Sequence, residues 1–182
     1  MSHSRTRTTC FGFATAASLS LAWAAPALAQ EVVRKGNEGS FAQPGELGVG
    51  LGAGTLATGV TAKYFFNSRN ALQALVGVYG SLLFGGRGYS GGVDYIREMP
   101  TLLRGNAATV NWNFGAGAGV ISYSHQRQDA TLFSLSGVLG LGVQFRGAPL
   151  EVVAEWRPSV TFGQYQAGAK LSESGGALRW YF

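Results

Sequence analysis

From residue 45 to the end of the chain, apolar residues alternate with small or polar ones at a period of two. In the tract ELGVGLGAG (46–54), every second residue is Leu, Val or Ala, and the residues between them are Gly, after the leading Glu. The alternation recurs in VTAKYFF (60–66) and continues to Phe182. Successive side chains of a β-strand point to opposite faces, so this period predicts strands with one apolar face. Each Gly would cost a helix about 1 kcal/mol, and the sequence therefore predicts an all-β protein.

The alternating runs divide residues 45–182 into eight predicted strands. Turn-forming residues separate several of them, as at 67–70 (NSRN) and 146–149 (RGAP). Eight strands leave about 17 residues for each strand and its connection, and a tilted membrane strand needs about 9–11. A ten-strand count is the alternative. The predicted strands are 46–54, 60–66, 71–84, 91–97, 110–123, 132–145, 150–160 and 171–182. The least defined connection is 98–109, and short exposed loops are expected around 54–58, 85–91, 124–131 and 162–170.

Residues 1–29 have the pattern of a cleavable secretory signal peptide. Arg5 and Arg7 precede an apolar core at 11–25, and the A-x-A site formed by Ala27 and Ala29 predicts cleavage before residue 30. The polar residues 30–44 are interpreted as a flexible periplasmic lead-in to a barrel at 45–182. We therefore expect export across the inner membrane of a Gram-negative-type bacterium.

Several functional classes are disfavoured by the residues that the exported chain would retain. The one cysteine, Cys10, lies within the predicted signal peptide, so no disulfide or cysteine-based metal site is expected. No His, Asp and Glu cluster has metal-ligand spacing, and no cofactor motif is present. Basic residues are scattered and the formal net charge is only +5, which argues against nucleic-acid binding.

Alternation alone leaves two barrels open, a soluble one with its apolar face inside and a membrane one with that face toward lipid. The aromatic side chains of the apolar face would overfill the narrow interior of an eight-stranded barrel, whereas the Gly and Ser of the opposite face would fit it. Turning the charged face toward lipid would cost about 2–4 kcal/mol for each central cation. We therefore predict an antiparallel up-and-down transmembrane β-barrel.

The lumen of that barrel is the first candidate site. Charged residues on the inward face must pair or form hydrogen bonds, because a narrow lumen excludes bulk water. Glu155 and Arg179, on adjacent strands, are expected to pair. A polar plug that stiffens the barrel is the first interpretation, and a gate whose ion pairs exchange partners to pass small ions is the second. The predicted network comprises Lys63, Asp94, Glu151, Glu155, Arg157 and Arg179, with Gln73, Asn111, Asn113 and Gln144 as neutral partners.

The last strand ends in alternating apolar residues, Leu178, Trp180 and Phe182. This ending resembles the C-terminal signal by which the barrel assembly machinery recognises outer-membrane barrels. With the tracts at 59–77 and 142–160, it makes the chain similar to small OmpA-like outer-membrane β-barrel proteins. The resemblance implies an eight-stranded barrel with both termini in the periplasm, and no enzymatic activity.

A barrel enzyme acting on lipid is the alternative from a different functional class. Ser122 or Ser124 with His125 would supply a nucleophile and a base, with Asp129 as the nearest carboxylate. Consecutive strand residues point to opposite faces, which disfavours Ser124 with His125, and we assign no catalytic residue. The predicted function is an integral outer-membrane protein with a structural or surface-interaction role and a plugged, non-porin lumen. Its expected partners are membrane lipid and the assembly machinery, and the sequence identifies no extracellular ligand.

Overall fold

The structure is a computed structural model that describes residues 43–182 apart from 55, 80–87, 126–127, 164–166 and 172; at 124–125 and 128–129 it describes the backbone alone. No helix in this part of the chain is long and apolar enough to cross a bilayer. The described residues form eleven strands: β1 (Leu47–Gly54), β2 (Thr58–Phe65), β3 (Asn70–Val78), β4 (Gly88–Glu98), β5 (Leu103–Arg104), β6 (Ala108–His125), β7 (Gln128–Phe145), β8 (Leu150–Trp156), β9 (Ser159–Gly163), β10 (Ala167–Lys170) and β11 (Ser174–Tyr181).

Eight of these strands pair in an antiparallel ring. The order is β1-β2-β3-β4-β6-β7-β8-β11, and β11 pairs with β1 from Gly48↔Tyr181 to Gly54↔Gly175. The ring closes the sheet into a barrel without a free edge, which confirms the predicted all-β, eight-stranded class. β9 continues β8 beyond Pro158 and stays paired with β7, while β10 pairs with β9. The short β5 pairs with β6 beyond the end of β4.

The barrel has two distinct ends. At the turn end lie the connections at 66–69, 99–107 and 146–149, together with the start of β1 and the end of β11. At the loop end lie the last residues of β1, β3, β6 and β9. A β-turn at Gln43–Glu46, with Gly45 at φ +92°, ties the chain to β2 at the turn end, because the Gly45 N–H donates to the Phe65 carbonyl at 2.7 Å. A positive φ at this turn position suits glycine.

All four predicted loops are wrong in part. β9 extends to Gly163 and β10 occupies Ala167–Lys170, both within the expected 162–170 loop, while Gly54 and Thr58 of the expected 54–58 loop belong to β1 and β2. Residues 124–131 were expected to form a loop, but β6 and β7 stay paired out to His125↔Gln128. The polar residues there indicated a loop, yet the backbone pairing satisfies their N–H and C=O groups, so polarity is compatible with a strand. β4 begins at Gly88, three residues before the predicted start and inside the expected 85–91 loop. β3 ends at Val78, and residues 80–84 of that predicted strand lie outside the described residues.

Candidate functional site

The outer face of the barrel is apolar. Large aliphatic side chains in its middle are exposed, with Leu51 at 67%, Val76 at 65% and Val60 at 56% of their accessible surface. Aromatic side chains occupy both ends of this face, and some are in contact, such as Phe133 and Phe162 with ring centroids 6.1 Å apart. The aromatic group at the turn end comprises Tyr64, Phe66, Tyr95, Phe114, Phe145, Trp180 and Phe182; Tyr89, Phe133 and Phe162 lie toward the loop end.

The interior carries the charges. All six residues of the predicted lumen network are buried, from Lys63 at 0% to Glu155 at 8% exposure. They lie on β2, β4, β8 and β11 and on the link between β8 and β9. They are buried because inward-facing positions alternate with apolar outward-facing positions along each strand. The barrel is therefore polar inside and apolar outside, the reverse of a soluble domain.

Glu151 is the centre of the half of the lumen nearer the turn end, which we call the turn half. One of its carboxylate oxygens lies 3.5 Å from Lys63 Nζ, and the other lies 3.1 Å from Arg179 Nη1. The Tyr181 hydroxyl donates to Glu151 Oε2 at 2.7 Å. Lys63 Nζ also donates to Glu98 Oε1 at 2.5 Å, so Lys63 connects two carboxylates.

Arg157 and Glu155 connect this cluster to the half nearer the loop end, the loop half. Arg157 forms an ion pair with Asp94 and donates from Nε to Glu155 Oε2 at 2.8 Å. The Gln73 amide donates to Glu155 Oε1 at 2.8 Å. The expected pair of Glu155 and Arg179 is a long contact of 3.9 Å, because the register places Arg179 opposite Glu151 and Gly175 opposite Glu155.

The neutral residues of the predicted set also face the lumen. The Asn111 amide donates to Gln144 Oε1 at 2.9 Å, and the Asn113 amide donates to Glu98 Oε1 at 3.4 Å. Asn111 and Asn113 thus bond to side chains on neighbouring strands, whereas Gln73 on β3 reaches across the lumen to Glu155 on β8. The described lumen is thus held by side-chain hydrogen bonds as well as by ion pairs.

Sequence reasoning missed three buried polar residues. Glu98 was assigned to the ill-defined connection, although it has the same strand parity as Asp94 and is the last residue of β4. Tyr181 shares the inward parity of Arg179, so the same alternation could have identified it. Glu46 begins the alternating tract and lies just before β1. Burial raises the pKa of its carboxyl to about 7, while the hydrogen bond from the Gln43 N–H has the opposite effect.

Apolar side chains close the turn half of the lumen. Phe65 and Ala71 are fully buried, and Tyr181 is 3% exposed. The Phe65 and Tyr181 ring centroids are 6.1 Å apart, and Lys63 Nζ lies 5.0 Å from the Phe65 ring centroid. These rings separate the ion pairs from solvent at the turn end.

The connection between β1 and β2 closes the loop half. It was expected to be an exposed loop, but Ala57 is 1% exposed and the Ser90 hydroxyl donates to the Leu56 carbonyl at 2.6 Å. A Cβ added at Gly92 or Gly119 would lie 3.3 or 3.5 Å from Leu56 Cδ2, so the Leu56 side chain reaches over two glycines. We call residues 56–57 the loop-end cap. The chain folds inward here because this removes the apolar side chains of the cap from water.

A small cavity lies between the two closures. It has a volume of about 20 Å³ and is lined by Gln73, Glu155, Arg157 and Arg179 and by small residues of β1 and β11. This volume suffices for about one water molecule.

The predictions that do not concern the lumen network are the assembly signal and the signal-cleavage site. Leu178, Trp180 and Phe182 are exposed on the outer face and alternate with the buried Arg179 and Tyr181, and their role in assembly stays a prediction. Ala27 and Ala29 lie outside the described residues.

The residues considered for catalysis are only partly described. Ser122 is exposed on β6, and Ser124 and His125 follow it on the same strand. The side chains of Ser124, His125 and Asp129 lie outside the described part. Among the described residues, no group of three or more His, Cys, Asp or Glu side chains is arranged to hold a metal ion.

Comparisons with known proteins give little further information. No family model matches the chain, and no curated protein matches it. Among solved structures, the chain is similar to the N-terminal β-barrel domain of Pseudomonas aeruginosa OprF, at 14% identity and a TM-score of 0.45 over 75% of this chain and 96% of that one. The barrel architecture described above rests on this chain's own strand pairing.

Proposed function

We propose that the protein is an integral outer-membrane β-barrel with a structural or surface-interaction role and a plugged lumen, and that it belongs with the small OmpA-like barrels. The observation that carries the proposal is the reversed polarity of the barrel. Exposed Leu51, Val60 and Val76 would be unfavourable in water as one continuous band, and the bilayer removes that cost. Aromatic side chains at both ends of an apolar band suit the two interfaces of a membrane.

A closed barrel is also one of the two structures that satisfy every backbone hydrogen bond inside lipid. The ring of eight paired strands supplies this, because β11 pairs with β1 and leaves no edge. The A-x-A pattern at Ala27 and Ala29 supports export, which an outer-membrane location requires.

The packed lumen supports a role other than that of a general porin. Ion pairs around Glu151 and Glu155 occupy the middle of the barrel, and the cavity beside them has room for about one water. A porin keeps a continuous water-filled channel. The proposed role is therefore that of a rigid anchor that presents its loop end outside the cell.

The first test is the electrophoretic mobility of the membrane-extracted protein with and without boiling in SDS. We expect a fast-migrating folded band before boiling and a slower band afterwards, below the 19.1 kDa of the uncleaved chain because residues 1–29 are predicted to be removed. Fractionation should place the protein with outer membranes. Absence of a mobility shift together with a soluble location would contradict the proposal.

A narrow gated channel is the second candidate, favoured by the shared ion pairs. Arg179 contacts Glu151 at 3.1 Å and Glu155 at 3.9 Å, so a small movement would exchange its partner. Planar-bilayer recordings of the wild type and Glu155→Ala separate the two functions. A plug predicts no conductance in the wild type, whereas a gate predicts brief openings that change in the variant.

We propose no catalytic activity. Mass spectrometry of the host's lipid A after deletion and after overexpression of the protein tests this directly. An unchanged profile is expected. A loss or gain of acyl chains that depends on Ser124 or His125 would favour the lipid-modifying enzyme instead.

A further inference from the structure

Exposed charge on the described barrel is of one sign. Every acidic side chain whose surroundings the structure describes is buried, namely Glu46, Asp94, Glu98, Glu151, Glu155 and Glu173. The exposed charged side chains of the same part of the chain are Arg69, Arg97, Arg104, Arg146 and Lys170. Buried charges are largely paired with one another, so the exposed ones determine what the protein attracts at its surface.

Four of these five cations lie at the turn end. Arg69 is in the connection between β2 and β3, Arg97 is near the end of β4, Arg104 is in β5, and Arg146 is in the connection between β7 and β8. These elements are spread around the barrel, so the arginines form an incomplete ring, which we call the arginine rim. Among the described residues, none of the four forms an ion pair with a carboxylate, whereas Lys170 at the loop end contacts Glu173 at 3.6 Å.

The rim lies at the edge of the apolar band. Arg97 follows Tyr95 at the next outward position of β4, and Tyr95 belongs to the aromatic group at the turn end. Leu102 and Leu103, beside Arg104, are 54% and 66% exposed. A cation next to an aromatic ring and exposed leucines suits the depth at which lipid phosphates lie above acyl chains.

We propose that the arginine rim binds the phosphate groups of anionic phospholipids in the leaflet that surrounds the turn end. The inference rests on the proposed membrane location and extends it by naming a preferred lipid class. Arginine suits this role because its planar guanidinium donates two parallel hydrogen bonds to a phosphate. A soluble anionic polymer fits less well, since Arg97 lies on the outward face of β4 after Tyr95, and the exposed Leu102 and Leu103 lie beside Arg104.

The test measures lipid preference by quenching of tryptophan fluorescence. The full-length mature protein is reconstituted in phosphatidylcholine bilayers in which a fixed fraction is either brominated phosphatidylglycerol or brominated phosphatidylcholine. Trp112 and Trp180 are on the outer face in the turn-end half of their strands, where bound lipid quenches them. At low salt we expect a preference of about fivefold for phosphatidylglycerol, which falls toward none at 0.5 M NaCl.

The variant that combines Arg69→Gln, Arg97→Gln, Arg104→Gln and Arg146→Gln should lose this preference. Lys170→Gln is the matched control, because it removes one exposed cation at the opposite end and should leave the preference unchanged. Arg97→Gln alone should lower it by about twofold or more. An equal loss in the Lys170→Gln control, or a wild type without preference, would overturn the proposal.

Two further arms separate the alternatives. Inorganic phosphate at constant ionic strength should not compete; competition would indicate a site for soluble anions and would also overturn the lipid assignment. If the protein does not insert into the membrane, neither brominated lipid quenches the tryptophans, and the proposed membrane location is wrong. Equal quenching by both lipids overturns the arginine rim alone.

Discussion

The two halves of the lumen are filled by different means. In the turn half, long side chains meet in the middle, as where Lys63, Arg179 and Tyr181 converge on Glu151. In the loop half, glycines let the cap residue Leu56 enter the barrel over Gly92 and Gly119. In the proposed plugged lumen, paired charges would exclude water from one half and close approach of the backbone would exclude it from the other. The two halves should therefore respond to different substitutions.

The largest effect is expected in the turn half, for Glu151→Ala. This change leaves Lys63 and Arg179 buried with fewer partners, and breaking a buried pair from one side costs about 3–5 kcal/mol. The free energy of unfolding is measured by urea titration of the reconstituted barrel. Glu151→Gln keeps the side chain's volume, and its free energy of unfolding should fall by less than that of Glu151→Ala. The exposed Lys170→Ala is the control, at under about 1 kcal/mol; equal losses for both would refute the view that charge holds this half.

The loop half should be most sensitive to added volume. A Cβ at Gly119 would lie 2.9 Å from Ser134 Oγ and 3.5 Å from Leu56 Cδ2, so Gly119→Val is expected to lower the free energy of unfolding by about 1–3 kcal/mol. Gly168→Val in β10 is the matched control, because no atom lies within 4 Å of its added Cβ. The same urea titration measures both variants. If they behave alike, close packing does not hold this half.

Removing the cap's apolar side chain should have a smaller effect. Leu56→Ala loses contacts over Gly92 and Gly119, but the side chain is only partly buried, so we expect a loss of about 1 kcal/mol. The sharper readout is access of water to the loop half, measured by hydrogen exchange of the β4 and β6 amides near the cap. Exchange there should speed up while amides near Glu151 stay protected. Faster exchange in both halves would show that they are not independent.

The effect of Glu46 at the turn end is expected as a pH dependence of stability rather than as a loss at one pH. Its pKa of about 7 in the folded protein exceeds the ordinary value of 4.5, so between these values the folded state binds more protons than the unfolded state. Its contribution to the free energy of unfolding is present below pH 4.5 and is lost as the pH rises through about 7. Urea midpoints between pH 4.5 and 8 should fall in the wild type and flatten in Glu46→Gln. If the wild type and Glu46→Gln show the same pH dependence, the Glu46 carboxyl is exposed to water and its pKa is not raised.

Much of the fold and part of the site followed from alternation alone. Parity placed Lys63, Glu151 and Arg179 on one face. The same rule extends to Glu98, one residue beyond the predicted end of its strand, and to Tyr181, which lies inside the predicted last strand. The register is a property of the closed ring, so the sequence could not tell that Arg179 lies opposite Glu151 and makes its shorter contact there, at 3.1 Å against 3.9 Å to Glu155. The inward path of Leu56 depends on glycines of β4 and β6, which are distant in sequence.

The pairing of β1 with β11 has a consequence for how the chain must fold. Gly48 meets Tyr181, so the last hydrogen bonds of the ring join the two ends of the described chain. Until β11 is complete, β1 and the growing sheet present unpaired edges that can associate with other chains. Contacts of such high sequence separation also form slowly. An emerging chain is thus exposed to aggregation for the whole time before its last strand arrives, and this period is when a chaperone would have to hold it.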